Sequence, residues 1–362
     1  MKCKKSLMSL LVSLVLVSSL GLSGCKSSTT SDSGSTKQEG EVDKDSYLNV
    51  QMDADAKTLD PSIAADVYSS DINTNVQEAL TRLTKDENGN PTIEPGIAEK
   101  WEVSEDGLTW TFHIRDAKWS DDKAITAKDF EYAVKRALDP RTGSPYAFLL
   151  APVKGANAYN TPAWQAKAKE AGVDTSTVDT TTLKDEDLVP SISDDELGVK
   201  ATDDHTLVFT LAQKCPYFEK LTYFKLMMPL RQDFVEAKGD NFCATKDDML
   251  YSGPYIVQDW VRDSSYTLVK NDKYWDAENV KNTKVNIKII KVNDTIMNAL
   301  QAGDIDYATC SSKEWKDKLD QSGEYNTEVV PGSDYTYTFY NQAEKFNGEV
   351  NPFSNLKVRQ AF

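Results

Sequence analysis

The residues in this chain that could do chemistry are mainly carboxylates, since it contains 57 Asp and Glu but only two histidines. Adjacent pairs such as Asp121–Asp122 and Asp203–Asp204 could in principle act as general acid and base. Neighbouring side chains point in opposite directions along a strand, and both pairs lie in turn-like sequences, so we expect them to be solvated. No GxSxG, HExxH, Walker A or GxGxxG motif occurs. The sequence therefore predicts no catalytic residues.

The sequence contains few residues that could support metal or thiol chemistry. His113 and His205 are the only histidines, and no CxxC or His/Cys cluster has zinc spacing. The sequence therefore predicts neither a metal nor a cofactor. Three cysteines follow the N-terminal leader: Cys215, Cys243 and Cys310. In an oxidising compartment Cys215 and Cys243 either form a disulfide or remain buried free thiols, and an odd cysteine is left over.

The composition argues against binding of nucleic acid. The formal charge is −16, from 41 Lys and Arg against 57 Asp and Glu. Such a chain repels phosphate backbones, and no basic stripe offsets this charge. The 16 Tyr and 7 Trp suit a site that binds ligands by stacking and burial, although core packing accounts for most of them.

The N-terminus predicts export and a lipid anchor. Three lysines within the first five residues precede the apolar segment Leu7–Leu22, and small residues lead directly to Cys25. This pattern predicts a lipoprotein signal peptide over residues 1–24, with lipidation of Cys25. The alternative is an ordinary secretory signal with an incidental cysteine. Residues 25–46 contain almost no apolar side chain and predict a flexible tether at the outer face of the cell membrane or in a periplasm.

The elements that position any site are clearest between residues 98 and 140. Leu108–Ile114 alternates apolar and polar residues, which predicts a strand with one buried face. Thr126 and Asp129 have capping-box spacing at a helix start, and Asp139–Pro140 ends that helix. The predicted apolar stripe of the helix consists of Phe130, Ala133, Val134, Ala137 and Leu138.

Other elements are predicted along the chain. We expect strands over Tyr47–Met52, Val285–Val292 and Thr336–Asn341, a hairpin turn at Asp203–His205, and a helix capped by Asp294. A further helix is predicted to be capped by Ser69 or Ser70. Its inward residues are predicted to be Ile72, Val76, Ala79, Leu80 and Leu83. The stretch 141–193 has no clean period and yields no prediction.

Several short sequence motifs, taken together, resemble those of a known family. These are LDP at Leu59–Pro61, PGIAEKW at Pro95–Trp101, SGPY at Ser252–Tyr255, NxxYW at Asn271–Trp275 and PF…VRQA from Pro352. In order and spacing they are similar to the family 5 extracellular solute-binding proteins, and the resemblance covers Leu22–Phe362. It implies an α/β, two-lobe fold of the periplasmic-binding-protein kind (type II, cluster C).

The resemblance also implies a domain plan and a set of ligand contacts. Lobe one would span 47–278, with a variable small domain at about 63–195, and a partial lobe two would span 279–362. Family contacts that match positions in this chain fall in two groups: Ala65, Asp66 and Val67 after LDP, and Tyr251, Ser252 and Gly253 before Pro254. For each of these positions an ordinary loop or strand role stays open.

The implied function is non-enzymatic. A protein of this kind captures oligopeptides between its lobes and delivers them to the transmembrane permease subunits of an ABC importer, acting as a monomer. Alternatives are the same scaffold binding a nickel chelate, an oligosaccharide or a signalling peptide, a surface-anchored hydrolase, and a truncated remnant. In peptide-binding relatives the acidic residue that pairs with the ligand's amino terminus lies beyond the counterpart of residue 362. We therefore expect weak or absent peptide binding by the 362-residue chain.

Overall fold

The computed structural model describes residues 46–176, 178, 182–329 and 338–361. The β-strands are β1 Tyr47–Met52, β2 Thr81–Lys85, β3 Pro91–Pro95, β4 Ala98–Val103, β5 Thr109–Ile114, β6 Val199–Ala201, β7 Thr206–Thr210, β8 Tyr255–Val261, β9 Ser265–Lys270, β10 Lys284–Ile289, β11 Lys345–Phe346 and β12 Glu349–Val350. The α-helices are α1 Val67–Val76, α2 Ala127–Leu138, α3 Ala156–Tyr159, α4 Ala163–Glu170, α5 Gln232–Lys238, α6 Asn293–Gln301, α7 Lys313–Ser322 and α8 Leu356–Gln360. The predicted signal peptide, Cys25 and the tether up to residue 45 lie outside the described residues.

The first sheet has the order β4-β5-β7-β6 and is antiparallel throughout. The predicted alternation is confirmed at Phe112 and Ile114, which are both buried. Phe112 lies opposite Leu207 on β7, and its ring meets the ring of Phe209 edge-on at 5.9 Å. The hairpin predicted at Asp203–His205 joins β6 to β7. The inward side chains of this sheet form the centre of one large hydrophobic core.

Helix α2 covers this sheet as predicted. Its N-terminus carries the capping box, in which the Thr126 amide donates to the Asp129 carboxylate at 2.8 Å. All five residues of the predicted apolar stripe are buried, and the helix packs on β6 and β7. The helix ends at Leu138, with Asp139 as its C-cap directly before Pro140. The capping box and the apolar stripe predicted from the sequence agree with the burial of this helix on the sheet, so α2 is a firm support for the segments that contact it.

The second sheet has the order β1-β10-β9-β8, with β1 parallel to β10 and the other pairs antiparallel. The strand predicted over Tyr47–Met52 is confirmed, and the predicted Val285–Val292 strand is observed at Lys284–Ile289. The inner face of the sheet and helix α1 share a second hydrophobic core, to which Ile72 and Val76 contribute. The sheet thereby fixes the position of α1.

Helix α1 departs from the prediction at both ends. Its N-cap is Asp66, whose carboxylate accepts a hydrogen bond from the Ser69 amide at 2.8 Å, so the predicted caps Ser69 and Ser70 are wrong. The helix ends at Val76, and Leu83 lies on β2 with 52% of its surface exposed, not turned inward. Asp is as good an N-cap as Ser, and Ser69 here donates both its amide and its hydroxyl to Asp66.

The structure forms no disulfide between Cys215 and Cys243; both are buried free thiols. Cys215 belongs to the core of the first sheet and Cys243 to the core of the second. A disulfide requires Cα atoms within about 7 Å. The two residues belong to different cores, so of the two alternatives the structure shows buried free thiols, and Cys310 is a third free cysteine.

The remaining segments are short or small. The stretch 141–193 contains α3, α4 and a 3₁₀ turn at Ala147–Leu150, and a further 3₁₀ turn at Asp194–Glu196 follows it. Helix α6 begins at Asn293 with Val292 as N-cap, so Asp294 lies in the first turn and is not the cap. Of the strand predicted over Thr336–Asn341, residues 336 and 337 lie outside the described residues, and residues 338–341 are not in a strand. A small separate core contains Ile296, Met297, Ile305 and Leu319.

Candidate functional site

A buried ion pair anchors the chain segment that enters the candidate site. The LDP aspartate, Asp60, accepts two hydrogen bonds from the Arg136 guanidinium of α2, at 2.9 and 2.7 Å. The side chains are 4% and 19% exposed. Asp60 also accepts from the Ser62 amide at 3.0 Å. Two-point pairing of this kind fixes direction as well as distance, so residues 60–64 are held against α2.

The first predicted contact segment, Ala65–Val67, lies at the surface directly after this anchor. Ala65 is exposed and Val67 is 59% exposed. The Asp66 side chain is occupied by the helix start, because it accepts from the Ser69 amide and, at 2.6 Å, from the Ser69 hydroxyl. Partial burial raises the pKa of Asp66, but these hydrogen bonds and the charge of Lys57 outweigh burial and lower it overall. Asp66 therefore stays an anion that orders the segment.

Aromatic side chains border this segment. The Tyr146 hydroxyl donates to the Ala65 carbonyl at 3.2 Å. The Tyr146 ring lies 5.4 Å from the ring of Phe224 and 6.4 Å from that of Phe148, which is 66% exposed. Sequence reasoning missed Tyr146 and Phe148 because they fall in the stretch without periodicity. An exposed aromatic surface beside an exposed backbone segment can bind apolar ligand groups.

The second predicted group, Tyr251–Gly253, is buried and fastened to the end of α1. The amides of Ser252 and Gly253 donate to the Val76 carbonyl at 3.3 and 3.0 Å. The Ser252 hydroxyl donates to Gln77 Oε1 at 2.7 Å and accepts from the Glu78 amide at 3.1 Å. A side chain on Gly253 would place its Cβ 2.6 Å from the Gln77 amide nitrogen. In this structure the group therefore has a packing role, and its contact with ligand stays a prediction.

One helix connects the two groups. Asp66 caps the start of α1 and Gly253 bonds to its last residue, Val76. At 1.5 Å per residue, the ten residues of α1 separate the two ends by roughly 15 Å. The two groups are thus attached to opposite ends of α1, and only the first of them is exposed at the surface.

A cleft of about 430 Å³ opens alongside α1. Its lining residues include Thr74, Gln77, Glu78, Arg82, Tyr223, Met228, Pro254 and Tyr274. The cleft therefore borders the SGPY motif, since Pro254 is one of its lining residues. Sequence reasoning did not predict it, because its walls come from four separate parts of the chain.

Ion pairs and stacking organise one wall of the cleft. Arg82 pairs with Glu78 and with Asp276, the latter at 2.9 Å, and donates to the Tyr274 hydroxyl. The Trp275 indole donates to Glu78 at 2.8 Å, and the Arg82 guanidinium lies 4.5 Å from the centre of its ring. Burial raises the pKa of Tyr274, and the Glu78 charge adds to this. Residues of the NxxYW motif thus help to hold the side chains on this side of the cleft in place through hydrogen bonds and stacking.

The carboxylate pairs considered for acid–base chemistry lie in turns. Asp121 accepts from Arg231 at 2.6 Å, and Asp204 pairs with Lys128 at 2.9 Å. Asp203 accepts from the His205 amide at 2.8 Å. Within the described ranges, no three or more His, Cys, Asp or Glu side chains are grouped to hold a metal ion. Nor is any helix there long and apolar enough to cross a membrane.

Comparison with known proteins covers most of the chain. The sequence profile of the bacterial extracellular solute-binding proteins, family 5 (middle region), matches residues 92–362. The oligopeptide-binding protein OppA of Bacillus subtilis is 34% identical over 360 residues, which are 97% of this chain and 58% of that protein.

Solved structures show the same likeness. The substrate-binding domain of an oligopeptide ABC transporter from Bacillus anthracis has a TM-score of 0.65 at 34% identity, covering 77% of this chain and 48% of that one. Listeria monocytogenes OppA bound to peptide has a TM-score of 0.65 at 28% identity, covering 88% and 56%. The chain thus spans about half the length of the relatives it matches. The predicted α/β two-lobe, type II periplasmic-binding-protein fold class is confirmed, and the chain belongs to family 5 of the bacterial extracellular solute-binding proteins.

Proposed function

We propose that this chain is the substrate-binding component of an ABC importer, which captures oligopeptides and delivers them to the transmembrane permease subunits. The observation that carries this proposal is the exposed segment Ala65–Val67, held by the buried Asp60–Arg136 pair and bordered by aromatic side chains. Support also comes from relatives whose names state oligopeptide and dipeptide binding.

The mechanism we propose is capture of an extended peptide as an added strand. A peptide backbone presents amides and carbonyls at strand spacing, so a receptor gains affinity from main-chain hydrogen bonds and tolerates varied side chains in roomy pockets. Residues 47–278 would form lobe one, with a small domain at about 63–195, and residues 279–362 would begin lobe two. Closure of two lobes about a hinge would then enclose the ligand.

We further propose that the mature protein is a monomer attached to the outer face of the cell membrane through lipid on Cys25. The basic, apolar and small-residue pattern of residues 1–24 supports this. Labelling of cells with a radioactive fatty acid should mark the wild-type protein and leave the Cys25→Ser variant unmarked. Equal labelling of both proteins would refute lipidation at Cys25.

Isothermal titration with mixed tri- to hexapeptides tests the binding function. We expect heat of binding with peptides and none with nickel chelates or oligosaccharides. Sequencing the gene past codon 362 shows whether a longer product exists to be titrated beside the 362-residue chain. Heat with a non-peptide solute alone would refute oligopeptide binding.

The same proposal includes the absence of enzymatic activity. We expect peptides and glycosides to be recovered unchanged after incubation with the protein. Turnover that disappears on substitution of a single carboxylate, such as Asp121→Asn, would identify a hydrolase and overturn the proposal.

A further inference from the structure

Lys225 is a buried cation without a carboxylate partner. The residue is 6% exposed and follows the cleft residue Tyr223 by two positions. Its ammonium donates to the Ser70 hydroxyl at 2.9 Å, and none of the described carboxylates lies within ion-pair distance of it. Burial lowers the pKa of Lys225, while the more distant Asp66 opposes this. Burying an ammonium without a carboxylate counter-charge carries a desolvation cost.

The ammonium lies close to the candidate ligand segment. It is 4.6 Å from the centre of the Tyr146 ring and 5.4 Å from that of Phe224. The Tyr146 hydroxyl in turn bonds to the Ala65 carbonyl. Ser70, Tyr146 and Phe224 are each only partly buried, so the ammonium lies one side chain below the surface beside Ala65.

A buried polar side chain without a hydrogen-bond partner among the described residues lies on α1, the helix that carries Ser70. Asn73 follows Ser70 by three residues, which places both on one side of α1. Asn73 is fully buried, and neither its side-chain oxygen nor its nitrogen has a hydrogen-bond partner in the described part of the chain. The 430 Å³ cleft is walled by the same helix and by Tyr223 and Met228, which flank Lys225. Asn73 and Lys225 are not themselves among the residues that line the cleft, but both lie next in sequence to residues that do or within two positions of them.

From this arrangement we infer that Lys225 is a specificity-determining residue that binds a carboxylate of the captured peptide. An ammonium has three donors, of which Ser70 takes one. The carboxylate would come either from an acidic side chain or from the C-terminus of the peptide. This inference rests on the proposed peptide-binding function and adds a charge preference to it.

The test compares acid and amide forms of the same peptides by isothermal titration. Each tri- to hexapeptide is used with Glu or with Gln, and with a free or an amidated C-terminus, so that the two sources of carboxylate are separated. We expect the wild-type chain to bind one acid form about tenfold or more tightly than its amide, the strength of a hydrogen bond to a charged group. Lys225→Met should abolish this ratio and Lys225→Arg should keep it.

Lys220→Met is the matched control, since it removes the same charge from an exposed lysine of the same segment. It should leave the acid-to-amide ratio unchanged. Equal binding of acid and amide forms by wild type, or a ratio that survives Lys225→Met, would overturn the inference while leaving peptide binding intact. Absence of heat with every peptide, for the full-length gene product as well as for the 362-residue chain, would instead refute the proposed function, and this inference with it. Thermal melts add a second readout: Lys225→Met should not lower the Tm, and a lowered Tm with an unchanged ratio would show a merely structural role.

Discussion

The pairing of Asp60 with Arg136 offers the most decisive test of how the candidate site is held. The perturbation is Asp60→Asn, which keeps the shape of the side chain and its bond with the Ser62 amide but removes the counter-charge of Arg136. Both side chains are largely buried, at 4% and 19% exposure. Breaking a buried ion pair by removing one partner costs about 3–5 kcal/mol. We expect a loss at the lower end of this range, because asparagine can still accept one hydrogen bond from Arg136.

The assay is urea unfolding followed by tryptophan fluorescence, run as a double-mutant cycle with Arg136→Met. The double variant should recover much of the loss, since it leaves no uncompensated buried charge. Asp204→Asn, which breaks the exposed pair with Lys128, is the control and should have little effect. Hydrogen exchange over residues 61–67 should speed up in Asp60→Asn ahead of global unfolding. The reasoning is refuted if Asp60→Asn costs no more than the control, or if the double variant is as unstable as the sum of the single variants.

Three further predictions concern the supports around the site. Burial raises the pKa of Asp129 to about 6, so its contribution to stability is fully present below the unfolded pKa of 3.8 and is lost as pH rises through about 6. In urea unfolding, the stability of wild type relative to Asp129→Asn should fall by up to about 3 kcal/mol between about pH 4 and pH 7, and a constant difference would contradict this. Ser252→Ala should destabilise the chain by about 1–3 kcal/mol, because the Gln77 oxygen and the Glu78 amide lose their partner, and a neutral result would show that they find another. Gly253→Ala should cost about 1–3 kcal/mol through the 2.6 Å contact with the Gln77 backbone, and an unchanged unfolding midpoint would show that α1 can shift to accommodate it.

Elements with local signals could be predicted from the sequence. The capping box and apolar stripe of α2 are written within fifteen residues, and the structure follows them from Thr126 to Asp139. The alternation that predicted β5 is equally local, because side chains on one face of a strand are two residues apart. The family and its fold class were also readable from the order of the LDP, SGPY and NxxYW words, and the comparisons confirm them.

Features that depend on contacts between distant parts of the chain could not be predicted and are seen in the folded structure alone. β1 pairs with β10, as Tyr47 does with Lys284, and no local pattern encodes that partner. The sequence predicted Ser69 or Ser70 as the cap of α1, whereas Asp66 takes that position in the structure. Tyr251–Gly253 is buried where two of its amides donate to the Val76 carbonyl at the end of α1. Tyr146, from a stretch without periodicity, donates its hydroxyl to the Ala65 carbonyl. Periodicity records which face of an element is apolar, whereas the identity of the element that covers that face depends on contacts between residues far apart in the chain.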